Sequence, residues 1–128
     1  MQVALGGSGR GTNDDAIDIG DAKFVARRVS GLEKGALRGM ADSLRDRLGT
    51  GVVVIAADND GKVQLLVTVT KGLADRVKAG DLVKQLAPIV GGKGGGRPDF
   101  AEAGGNNPSG IDELLITARK LVNRLMGQ

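Results

Sequence analysis

Residues 52–70 read VVVIAADNDGKVQLLVTVT. The first six are a β-branched, apolar run with the length of a buried strand, and Asp58-Asn59-Asp60-Gly61 has the composition of a tight turn. Beyond the turn, Val63, Leu65, Val67 and Val69 alternate with Gln64, Leu66, Thr68 and Thr70. One face of a second strand therefore belongs to the core and the other is partly covered. The stretch is a β-hairpin around which the remaining elements pack.

Working outward toward the N-terminus, Leu37, Met40, Ala41, Leu44 and Leu48 fall at spacings of three and four, which predicts an amphipathic helix closed by Gly49. Its charged face reads as solvated. Before it, Ile17, Ile19, Phe24, Val25 and Val29 surround Gly20-Asp21, the pattern of two short strands joined by a turn. Residues 1–15 (MQVALGGSGRGTNDD) carry too little apolar surface to offset the entropy of ordering, so they read as a flexible linker or tether and the chain as a piece of a longer protein.

Toward the C-terminus, residues 73–78 suit a helical turn, and Asp81 is placed to cap a helix that points Leu82, Val83, Leu86, Ile89 and Val90 inward. After a glycine-rich segment, Pro108-Ser109 opens a last helix with Ser109 and Asp112 in capping-box register. Its core stripe is Leu114 or Leu115, Ala118, Leu121, Val122 and Leu125. The expected fold is α/β in the broad sense, with α+β character: a small mixed sheet with helices packed on it, globular over residues 16–128.

The chain has no cysteine and no histidine, which removes disulfides, Cys/His zinc sites, thiol nucleophiles and imidazole bases together. No apolar run reaches the roughly 18 residues of a membrane span and no secretion signal opens the chain, so no membrane is expected and the address reads as cytoplasmic. Phe24 and Phe100 are the only aromatic residues, which argues against single-strand binders that stack bases on aromatic platforms. The net charge of +3 is mild, but residues 71–97 hold six basic side chains against two acidic ones, a local +4.

That basic stretch runs into residues 91–105, GGKGGGRPDFAEAGG, where seven of fifteen residues are glycine. A flexible surface loop and a phosphate cradle both account for such density. In the second reading the N–H groups of Gly94, Gly95 and Gly96 turn toward a phosphate flanked by Lys93 and Arg97. A nucleotide loop of the G-x-x-x-x-G-K-[ST] kind fails because Gly94 follows Lys93, and G-x-G-x-x-G fails at every glycine. Residues 97–103, with the rigid Pro98 and an apolar anchor in Phe100, have the length of a strand, so the segment is pinned at its far end.

The motif GGKGGGRPDFAEAGG closely resembles the glycine-rich motif near the C-terminus of bacterial alanyl-tRNA synthetases. KFVARRVSGLEKGALRGMADSLRDRLGTGVVVIA, KVQLLVTVTKGL and KAGDLVKQLAPIVGGKGGGRPD resemble the same domain in order and spacing, over residues 16–128. It is also similar to the domain that accompanies DHH-type phosphoesterases, where a histidine stands at the position of Arg97. The resemblance implies a non-catalytic module that grips alanine tRNA at its outer corner on behalf of upstream catalytic and editing domains. It implies no cofactor in this piece, with ATP, magnesium and zinc serving the parent ligase. Carried onto this sequence, the contacts are Lys93, Gly94, Gly95, Gly96 and Arg97, flanked by Lys71 and Lys84. The alternatives are a homodimer or interdomain scaffold of the same enzyme, and the nucleic-acid-binding domain of a DHH-type phosphoesterase.

Overall fold

A computed structural model describes residues 16–20, 22–31 and 33–127; residues 1–15, read above as a linker, lie outside the described residues. Among those described, six strands form one mixed sheet: β1 (Ile17–Ile19), β2 (Ala22–Ser30), β3 (Gly51–Asn59), β4 (Lys62–Val69), β5 (Lys93–Gly96) and β6 (Phe100–Gly105). Their order across the sheet is β1-β2-β3-β4-β6-β5. Helix α1 (Lys34–Leu48) links β2 to β3, α2 (Ala79–Leu86) runs into a 3-10 turn over Ala87–Val90, and α3 (Ile111–Leu125) follows β6.

The expected hairpin is β3–β4, antiparallel from Val52↔Val69 to Asn59↔Lys62. Its turn is Asp60-Gly61, with φ of 52° and 83°. Positive φ at both central residues matches the right-handed twist of the strands, and Gly61 adopts it without the steric cost of a β-carbon. The second strand before α1 runs nine residues, longer than expected, because it pairs parallel with β3 from Lys23↔Gly51 to Ser30↔Asp58. Arg27 and Arg28 break its apolar pattern, which hid its length. A parallel pair cannot be joined by a tight turn, so the chain crosses over through α1.

The sheet buries both faces. Phe24, Val52, Val54, Leu65 and Val67 pack against α2 and α3 through Leu82, Leu86, Leu114 and Ala118. Val25, Val53, Ile55 and Leu66 pack against Leu37, Ala41 and Leu44 of α1, with Met40, Leu48 and Phe100 at the margin. The fold is mixed α/β, as the sequence reading expected.

Three helix ends differ from expectation. Helix α2 begins at Ala79, with Lys78 as N-cap and Asp81 in its first turn, because the Ala79 N–H donates to the Pro98 carbonyl at 2.8 Å. A carbonyl from a distant turn thus supplies what a capping side chain would. Helix α3 begins at Ile111 after a 3-10 turn over Pro108–Gly110; Ser109 Oγ donates to Asn107 Oδ1 at 2.6 Å, so no capping box forms. On α3, Leu114, Ala118, Leu121 and Val122 are buried as expected and Leu115 partly so, but Leu125 is 40% exposed. Ile111 and Met126 complete the buried stripe instead.

Candidate nucleic-acid interface

The glycine-rich segment is not a loop. Lys93–Gly96 forms the edge strand β5, antiparallel to β6 in the register Lys93↔Gly104, Gly94↔Ala103, Gly95↔Glu102 and Gly96↔Ala101. The same register brings the Arg97 N–H onto the Phe100 carbonyl at 2.8 Å. Alternation along an antiparallel ladder then turns the N–H groups of Lys93 and Gly95 toward β6, and those of Gly94 and Gly96 away from it.

These glycines have a packing reason of their own. A β-carbon on Gly92 would overlap the Gly104 carbonyl oxygen, and one on Gly94 would overlap Ala103 and the Glu102 carbonyl oxygen. On Gly96 it would lie 2.6 Å from the Phe100 carbonyl oxygen. Side chains there would push β5 off β6. Gly95 is different: the nearest atom to its would-be β-carbon is Lys84 Cε, at 3.8 Å. The α2 helix also comes close, since a β-carbon on Gly80 would sit 2.8 Å from the Gly96 carbonyl oxygen.

The turn from β5 to β6 is held from three sides. The Pro98 carbonyl accepts from Ala79; the Asp99 carbonyl accepts from the Val69 N–H at 2.9 Å and from the Thr68 hydroxyl at 3.1 Å. Thr68 is fully buried, the one polar side chain so placed among the described residues. Phe100 packs against the α1 core, with the Arg38 guanidinium 4.7 Å above its ring, a cation–π distance. Phe100 is thus the anchor its position in the sequence suggested.

The basic candidates spread along this edge. Arg97 is 72% exposed, its Nε 3.6 Å from Asp99 Oδ1. Lys71 follows β4 and lines an open depression of about 490 Å3 with Arg45, Thr70 and Asp99. Lys84 reaches β5 from α2, beside Gly95. Lys93 lies at the far end, lining a second depression with Lys62, Gln64 and Gly104. At the usual rise per residue, Lys93 and Arg97 are about 13 Å apart, the reach of two or so backbone phosphates rather than one. The structure places Lys71 beside Asp99, the ion-pair partner of Arg97, at one end and leaves Lys93 at the other. Sequence reasoning missed Arg45, Lys62 and Thr68; the position of Thr68 between Leu66 and Thr70 on the partly covered face was the available signal.

Residues 21–124 match the DHHA1 domain family. The chain belongs to that family. This DHHA1 domain is 54% identical over 111 residues to the alanine–tRNA ligase of Anaeromyxobacter dehalogenans, and 46% identical over 112 residues to that of Desulfosudis oleivorans. The matches cover 87% and 88% of the chain but only 12% and 13% of those ligases, so the DHHA1 domain spans a small part of the relatives it matches. The C-Ala domain of Aquifex aeolicus alanyl-tRNA synthetase superposes with a TM-score of 0.76 at 30% identity, over 88% of this chain and 98% of that one. The DHH domain of an s1p-family ribosomal protein shares the fold alone, at 23% identity and a TM-score of 0.51, over 72% of this chain and 22% of that one. The homology is to the C-terminal domain of alanyl-tRNA synthetases, as the glycine-rich motif indicated.

Among the described residues no helix is long and apolar enough to cross a membrane. No group of three or more acidic, histidine or cysteine side chains that could hold a metal ion occurs among them.

Proposed function

We propose that this DHHA1 domain holds tRNA by its backbone for an alanine–tRNA ligase to which it is joined, and carries out no chemistry itself. One observation carries the reading: the glycine edge strand β5 is paired along β6, with Lys93 and Arg97 at its two ends, Lys84 beside Gly95 and Lys71 near the Arg97 end. The missing side chain at Gly95 leaves room beside Lys84 for a polyanion to approach the strand, and the cations along it match a chain of phosphates. Arg97 keeps anion binding where the resembling phosphoesterases have histidine, and so favours gripping over hydrolysis.

Holding the tRNA at a second point raises its effective concentration at distant active sites. Alanine selection, editing and the use of ATP, magnesium and zinc fall to the rest of the ligase, and the cytoplasm is the compartment this role requires. The test is a titration of the chain with alanine tRNA across salt concentration. With about four phosphate contacts at roughly 0.7 to 0.9 each, affinity should fall by about fifty- to 150-fold between 50 and 200 mM salt. The double substitution Lys93→Ala with Arg97→Ala should flatten that dependence. Salt-insensitive binding, or no binding, would defeat the proposal.

A further inference from the structure

The register of the β5–β6 hairpin decides which side of the sheet an RNA meets. Directly opposed residues of an antiparallel pair point to the same face, and Arg97 opposes Phe100 across the hairpin bond. Phe100 belongs to the α1 core. Arg97 therefore projects on the α1 side of the sheet. Thr68, paired with Phe100 across β4 and β6, lies on the same side.

One stripe of α1 looks onto this place. Arg38, Asp42, Arg45 and Gly49 follow one another at spacings of four, three and four, a single helical face. Arg38 sits over Phe100, and Arg45 Nη1 donates to Thr68 Oγ1 at 3.5 Å. Arg45, Gly49 and Lys71 line the 490 Å3 depression together with Asp99, the ion-pair partner of Arg97. Four cations from three separate segments thus converge around Thr68, Asp99 and Phe100. Their acidic neighbours are Asp42 and Asp46, each 3.6 Å from Arg45, and Asp99. The guanidinium of Arg38 is committed to the Phe100 ring by one face, which leaves its N–H edge for an oxygen acceptor.

Resting on the tRNA reading above, we infer that the RNA backbone crosses the α1 side of the β5–β6 hairpin, with Arg38 and Arg45 as further phosphate-binding residues beside Arg97 and Lys71. The solvent face of α3 takes no part. Asp42, Asp46 and Asp99 hold the arginines in place without RNA and give them up as phosphates enter.

The test measures binding of the chain to an alanine-tRNA transcript at several salt concentrations. The variants are Arg38→Gln, Arg45→Gln, the control pair Arg119→Gln with Lys120→Gln on α3, and Lys93→Ala with Arg97→Ala. Arg38→Gln and Arg45→Gln should each weaken binding about tenfold and lower the slope of log K against log salt by roughly 0.7 to 0.9. The α3 pair should change neither. Arg38→Lys, which keeps the charge and the stem over Phe100, should recover most of the slope. Thermal unfolding of each variant separates lost contacts from lost fold. If Lys93→Ala with Arg97→Ala weakens binding while the α1 variants match the unsubstituted chain, the side assignment falls and the tRNA reading stands. An equal loss in the α3 pair also overturns the side assignment. If the unsubstituted chain binds without salt dependence, both fall.

Discussion

Gly94→Ala and Gly95→Ala are chemically the same change at adjacent positions of β5, and the structure gives them opposite outcomes. At Gly94 the new methyl would enter the space of Ala103 and the Glu102 carbonyl. Strand β6 cannot retreat, because Ala103 and Glu102 are paired on their other side with Leu65 and Leu66 of β4, both buried. Strand β5 must move instead. Forcing a methylene-sized group into a packed site costs about 1–3 kcal/mol, and the stiffer unfolded chain returns about 0.4–1 kcal/mol. The net is a loss of about 1.3 kcal/mol at midrange and up to about 2.6 kcal/mol. At Gly95 the nearest atom lies at an ordinary contact distance, 3.8 Å, and belongs to a lysine side chain. Gly95 does not sit at positive φ. Only the unfolded-state term remains there, so stability should hold or rise by up to about 1 kcal/mol. Urea unfolding reads the difference directly. With a slope of about 1–3 kcal/mol per molar, the Gly94→Ala midpoint should fall by about half a molar or more while that of Gly95→Ala does not fall. Hydrogen exchange at Lys93, Gly95 and Arg97 should quicken in the first variant alone. Equal midpoints for the two would refute the close packing of β5 on β6 and restore the flexible-loop reading.

Thr68→Val keeps the shape and removes the hydroxyl donor to Asp99. That carbonyl retains the Val69 N–H, and Arg45, which loses its 3.5 Å contact to the hydroxyl, retains Asp42 and Asp46, so the loss should be about 1 kcal/mol, checked by thermal unfolding, rather than the larger cost of an orphaned group. Gly61→Ala places a β-carbon at φ 83° with open space around it, so the whole cost is conformational, about 1 kcal/mol, and a shift below about 0.3 kcal/mol in chemical denaturation would contradict the turn geometry. Arg28 bridges Asp58 at 3.5 Å and Asp112 at 3.1 Å, but its side chain is 42% exposed. Arg28→Gln should therefore change the unfolding free energy by less than about 1 kcal/mol, and any change should fade in high salt.

What the sequence determined by itself is whatever local periodicity encodes. The β3–β4 hairpin is legible because β-branched alternation and Asp60-Gly61 agree, and α1 because Leu37, Ala41 and Leu44 repeat at helical spacing. The identity of the glycine motif was legible too, as a pattern of residues. Its conformation was not. Glycine has no side chain to alternate, so a strand made of Lys93-Gly94-Gly95-Gly96 leaves no period of two to read, and its place at the sheet edge depends on β6 inserting between it and β4. The start of α2 was hidden for a related reason, since the acceptor for Ala79 is a backbone carbonyl of Pro98, contributed by a turn distant in sequence. The convergence of Arg38, Arg45, Lys71 and Arg97 belongs to tertiary structure alone. Lys71 and Arg97 stand out in sequence beside the glycine motif, but Arg38 and Arg45 read as ordinary solvated helix cations, and only the packing of α1 on β3 and β4, with Phe100 of β6 at its margin, brings all four to one side of one sheet.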